Sequence, residues 1–176
     1  MKINSEARIP YPREQVYLAY RDRMAEIAEF IPDIKEVKIV SREEGDGTVT
    51  LHNEWASDRE VPSVVSKIIK PEHLRWDDYA TWHNEAFYAQ WEIKTRAFTD
   101  AVRCTGRTEV LEDGDSTVVR LTGDLSITLK EIPGVPSFLA RRMAPQVEKF
   151  IVSLVTPNLQ QVNRSIHRFL DSEAGS

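Results

Sequence analysis

Residues 136–170 read PSFLARRMAPQVEKFIVSLVTPNLQQVNRSIHRFL, and this stretch decides the fold. Phe138, Leu139, Met143, Val147, Phe150, Ile151, Leu154, Leu159, Val162, Ile166, Phe169 and Leu170 recur at intervals of three and four, which lays an apolar stripe along one side of a helix. Glu148, Lys149, Ser153, Gln160, Gln161, Arg164, His167 and Arg168 fall largely between them, so the other side can be solvated. A helix of this length must bury its stripe against a large apolar partner. The upstream segments read as antiparallel strands, so the pattern predicts an α+β protein in which a sheet wraps against a terminal helix. Pro145 and Pro157 each lack a backbone donor and crowd the carbonyl four residues earlier, at Arg141 and Ser153. Ser137 is placed to cap a short first segment and Pro145 to open the main one, whereas Pro157 predicts a bend that follows a curved sheet or opens room for a ligand.

Working outward from the helix, the chain upstream alternates. Ile3, Ser5, Ala7 and Ile9 share one face of a first strand, and Pro12 opens two short helices over residues 13–31. A hairpin turn at Glu43–Gly47 joins a strand over 34–42 to one over 48–55 that carries Val49, Leu51, Asn53 and Trp55 inward. Extended structure is expected at Val64–Ile69, resuming at Leu74–Trp82 after Pro71. Phe87, Ala89, Trp91 and Ile93 share the inner face of the next strand, and Val102, Cys104, Gly106, Thr108 and Val110 that of the one after. The last strand, Thr117–Leu129, presents Val119, Leu121, Gly123, Leu125, Ile127 and Leu129 inward, with Gly123 marking a bulge or a close approach of the helix. Pro133-Gly134-Val135-Pro136 turns the chain into that helix.

These 176 residues suit one domain, expected over 1–171, with a disordered tail at 172–176. No apolar run approaches the ~20 residues of a membrane span, and the first residues start a strand instead of a leader, so the expected compartment is the cytoplasm. Cys104 is the sole cysteine, which excludes an intrachain disulfide and a thiolate metal cluster. A net charge of −5 argues against a nucleic-acid partner. There is no glycine-rich phosphate loop, nucleophile elbow, HExxH or CxxC, and the four histidines are scattered. No catalytic residue, metal ligand or cofactor is therefore assigned.

The element order, with Ile9-Pro-Tyr-Pro-Arg-Glu-Gln-Val-Tyr17 and Phe30-Ile-Pro-Asp-Ile-Lys-Glu-Val37, resembles the START-like superfamily, also called SRPBCC or Bet v 1-like. The resemblance covers essentially the whole chain. It implies a helix-grip fold: a curved antiparallel sheet, two short helices after the first strand, and an elongated apolar cavity against the C-terminal helix. Polyketide cyclase-like and lipid-transfer-like members share these features.

The expected function is binding of a hydrophobic small molecule, lipid-like or polyketide-like, in that cavity. Its candidate walls are Asn53, Trp55, Trp76, Asp78, Trp91, Cys104, Thr108, Leu121, Met143, Phe150 and Leu154. Asp77 and Asp78 must point to opposite faces; with Trp76 inward, Asp78 is inward too, set to meet Arg96 or Arg120 or to titrate high. The alternative is a cyclase- or dehydratase-like enzyme with Asp78 or His83 as acid or base. The sequence leaves the ligand and the oligomeric state open.

Overall fold

The computed structural model describes residues 1–129, 132 and 135–176. The expected turn at Pro133-Gly134 lies outside the described residues. Strand β1 (Lys2–Ile9) is followed by helices α1 (Arg13–Asp22) and α2 (Met24–Ile27), a 3-10 turn at Ala28–Phe30, six further strands and helix α3 (Ser137–Ala174). The strands are β2 (Ile34–Glu44), β3 (Thr48–Ser57), β4 (Arg75–His83), β5 (Tyr88–Thr95), β6 (Val102–Asp113) and β7 (Ser116–Ile127). All pair antiparallel in one sheet, in the order β1-β7-β6-β5-β4-β3-β2. From β2 onward consecutive strands are sheet neighbours; the β2–β3, β4–β5 and β6–β7 turns are short, as at Gly114, whose φ of +61° suits a residue without a Cβ, whereas residues 58–74 join β3 to β4.

The period of two decides what reaches the interior. In β4, Trp76, Ala80 and Trp82 are buried while Tyr79 is exposed. Asp77 turns outward into a surface cluster: it meets His52 Nε2 at 2.7 Å and Arg96 at 3.2 Å, and Glu54 accepts from both Arg75 and Arg96. Arg96 thus pairs with Asp77, and the pairing with Asp78 anticipated from sequence is not made.

Three sequence expectations need correction. Residues 64–69 are not extended; Ile69 N–H donates to Val65 O at 2.8 Å, and Val65 and Ile69 bury themselves with the four-residue spacing of a helical turn. Helix α3 is continuous from Ser137, which caps nothing, and Pro145 sits well inside it instead of opening a second segment. The helix also runs to Ala174, past the boundary of the expected tail, with Arg23 reaching across to Glu173 at 3.1 Å. The apolar stripe is buried from Val147 onward, but Phe138 at its start is 77% exposed. Among the described residues no helix is long and apolar enough to cross a membrane.

Candidate functional site

Where the sheet curves under α3, the side chains fail to close completely. The half-enclosed space is walled by Tyr20, Arg21 and Met24 from the α1–α2 region and by Val155, Asn158, Leu159 and Val162 from α3. The sheet contributes Leu51, Asn53, Trp55, Trp76, Asp78, Ala80, Trp82, Ala89, Trp91, Ile93, Thr108 and Leu121. All four tryptophans of the chain therefore stand in one wall. About 60 Å³ is open to the centre of a water molecule, where a single water needs about 10–15 Å³. The cavity implied by the resemblance is thus small, and four indole rings stand in its wall.

Trp91 shows how the wall is built. Its cross-strand neighbour is Gly106, and Gly106 pairs in turn with Gly123, so two residues without side chains lie beside the indole. A Cβ on Gly106 would fall 2.2 Å from Trp91 Cζ2 and 2.4 Å from the Thr122 carbonyl oxygen; one on Gly123 would fall 2.8 Å from Trp91 Cη2. Gly123 therefore marks an approach by Trp91 and not by the helix, and the β6–β7 register runs past it without a bulge. Trp91 Nε1 donates to Thr108 Oγ1 at 3.1 Å, which fixes the ring. Trp55 and Trp76, directly paired across β3 and β4, stack at 5.9 Å with 14° between planes.

Asp78 is the acidic residue of this wall, half-buried, and its carboxyl opens onto a mostly apolar space. Burial pushes its pKa up to about 6; the neighbouring Asn53 amide and Trp55 N–H and the charge of His52 pull the other way without cancelling the effect. Trp55 Nε1 nevertheless completes no hydrogen bond of normal geometry, and neither does Asn53 Oδ1. Adjacent carboxylates thus have opposite fates: burial also works against Asp77, but Arg96 and His52 more than offset it and hold its pKa below the usual value.

Seven of the sequence candidates come together here: Asn53, Trp55, Trp76, Asp78, Trp91, Thr108 and Leu121. Four do not. Cys104 is buried, but its cross-strand partner Ile93 forms the wall in that row, and burial pushes the thiol up to about 12, so it is no nucleophile. Met143, Phe150 and Leu154 lie on α3 before the cavity begins; the helix meets the space through Val155, Asn158, Leu159 and Val162, an i, i+3, i+4, i+7 set of which Leu159 and Val162 belong to the expected stripe and Val155 and Asn158 do not. His83 stacks on Tyr88 at 4.3 Å and is not part of the wall. Alternation alone would have added Leu51, Ala80, Trp82, Ala89 and Ile93, which share faces with the residues chosen. Tyr20, Arg21 and Met24 carry no such signal, since which end of the sheet the short helices cross is not written in any period.

A model of the family described as "Protein of unknown function (DUF2505)" matches residues 4–170. The chain belongs to that family. Several solved structures share the architecture of this DUF2505 chain. TTHA0849 from Thermus thermophilus aligns with a TM-score of 0.70 at 18% identity, covering 99% of each chain. The Zhui aromatase/cyclase from Streptomyces sp. R1128 gives 0.60 at 14% identity, covering 98% of this chain and 95% of its own. A truncated norcoclaurine synthase from Thalictrum flavum gives 0.60 at 14%, covering 97% and 92%. At these identities the likeness is one of fold, and that fold is the START-like, Bet v 1-like helix grip. No curated protein sequence matches the chain at a significant level.

The DUF2505 chain also supplies a donor for the carbonyl that Pro157 strands inside α3. The proline leaves the Ser153 carbonyl without its helical donor, and the guanidinium of Arg59, from the segment after β3, donates to that oxygen. Arg59 also lies 5.9 Å over the Phe150 ring. One turn on, Asn158 Nδ2 donates to Leu154 O at 2.8 Å, just where the helix faces the cavity. We expect Arg59→Ala to cost about 1–2 kcal/mol in urea unfolding. The cost should shrink in a Pro157→Ala background, where the backbone supplies its own donor; equal costs in both backgrounds would refute this cap.

Proposed function

We propose that this chain binds a small, largely apolar molecule between the sheet and α3, with the polar end of the ligand at Asp78 and Asn53. The observation that carries this is the composition of the wall: four indoles around a space that is not filled, with the carboxylate of Asp78 on it. Affinity would come from apolar burial at about 25 cal/mol per Å², and orientation from the polar groups. The narrow space favours a ring-sized ligand over a long lipid chain in this conformation. The single buried thiol suits a reducing compartment, and we take the site of action to be the cytoplasm.

Native mass spectrometry of the purified protein beside a denatured control tests the reading. A small-molecule mass released on unfolding supports it. A ligand-free spectrum that stays unchanged on adding small aromatic compounds contradicts it.

A second reading is favoured by one observation, the inward carboxyl with a pKa of about 6. A carboxyl titrating near the working pH can give and take protons, and two of the structures sharing the fold are described as an aromatase/cyclase and a norcoclaurine synthase. On that reading Asp78 is the acid or base, and Asp78→Asn removes turnover while ligand binding survives.

A further inference from the structure

Resting on that binding reading, we infer that the ligand carries a protonated amine, held by the Asp78 carboxylate among the aromatic side chains of the cavity. Ion-pair geometry argues for it. Arg21 is the basic residue on the wall, and it is engaged elsewhere: its Nε and Nη2 donate to the two Asp22 carboxylate oxygens at 2.7 Å each, and Nη1 donates to Asn84 Oδ1 at 2.9 Å. Arg96, the basic residue closest in sequence logic, is spent on Asp77 and Glu54 outside the sheet. Among the described residues Asp78 is therefore left facing the cavity without a paired cation.

The chemistry of the wall then discriminates among ligands. An anionic ligand would set a second negative charge against the carboxylate. A neutral apolar one would leave the carboxylate desolvated without a counter-charge, and such a buried group is costly. An ammonium group supplies both the donors and the charge that the carboxylate lacks, while Asn53, 4% exposed and the direct cross-strand partner of Asp78, packs beside it. Indole and phenol faces carry negative electrostatic potential, so Trp55, Trp76, Trp82, Trp91 and Tyr20 favour a cation where an aliphatic wall would be indifferent.

Binding of this kind is coupled to the ionisation of Asp78. The other titratable or charged groups around it are Tyr20 and Arg21 from α1, His52 from β3 and Cys104 from β6; α3 presents Val155, Asn158, Leu159 and Val162, none of which titrates. A simple alkylamine stays protonated up to about pH 9–10. Amine affinity should therefore rise as pH climbs through about 6 and the carboxyl loses its proton.

The test compares benzylamine with its neutral near-isostere benzyl alcohol, following tryptophan emission, since every indole of the chain lines the site. At about pH 8 benzylamine should bind at least about tenfold more tightly, and at about pH 5 the ratio should fall toward one. In Asp78→Asn benzylamine should lose its advantage, so that the ratio is near one; should that variant fail to fold, the pH series on the parent makes the same distinction. Equal affinities at about pH 8, or a preference that survives loss of the carboxylate, overturn the amine assignment and leave the cavity reading standing. Binding of neither compound overturns both.

Discussion

Replacing Gly106 with alanine should destabilise the fold by about 3 kcal/mol, at the upper end of what one added methyl group usually costs. The methyl would fall 2.2 Å from Trp91 Cζ2 and 2.4 Å from the carbonyl oxygen of Thr122. Neither neighbour can retreat cheaply. The indole is fixed by its hydrogen bond to Thr108 and bounded by Gly123 on the far side, and the carbonyl belongs to the β6–β7 ladder. Trp91→Ala alone should cost more than Trp91→Ala added to Gly106→Ala, because removing the indole relieves part of the clash in the double variant while the backbone clash remains. Chemical denaturation of the three variants checks this; a Gly106→Ala protein as stable as its parent would show that Trp91 is not seated as described.

The second large effect concerns Asp78 and has the opposite sign. Its pKa is raised from 3.8 in the unfolded chain to about 6 in the folded one, so the folded state holds a proton that the unfolded state has already lost. Stability should therefore fall as pH rises from about 4 through about 6. Asp78→Asn removes that dependence without changing the shape of the side chain. At neutral pH the variant should be more stable than the parent by about 2 kcal/mol, with the difference vanishing near pH 4. Urea unfolding at several pH values measures it. A variant no more stable than the parent at neutral pH would mean that the carboxylate is already compensated. A carboxylate kept at a cost to stability is what a functional site predicts.

The sheet, the terminal helix and the inward faces of β3 and β5 to β7 were legible because burial imposes a period of two on strands and of three to four on helices, and Asn53, Trp55 and Trp91 fell out of that alternation. The facing of Trp76 and Asp78 was the harder case, since the polar stretch before β4 breaks the count. What stayed hidden depended on contacts distant in sequence. Gly123 announces that something comes close, but only the pairing of β5, β6 and β7 reveals that it is Trp91. Helical spacing finds a stripe on α3 but not the sector of it that meets empty space, so Leu154 was chosen where Val155 stands. Pro157 looked like a fault because its remedy, Arg59, lies almost a hundred residues earlier.

The central claim is that the space between sheet and α3 takes a small apolar molecule, and the most direct measurement is a tryptophan-emission titration with benzyl alcohol on the parent and on Ala89→Leu. Ala89 is buried in the cavity wall, and a leucine there would occupy the space a ligand needs. The account predicts saturable binding to the parent and its loss in a folded Ala89→Leu variant. A parent whose emission never responds, or a filled variant that binds equally well, would contradict it.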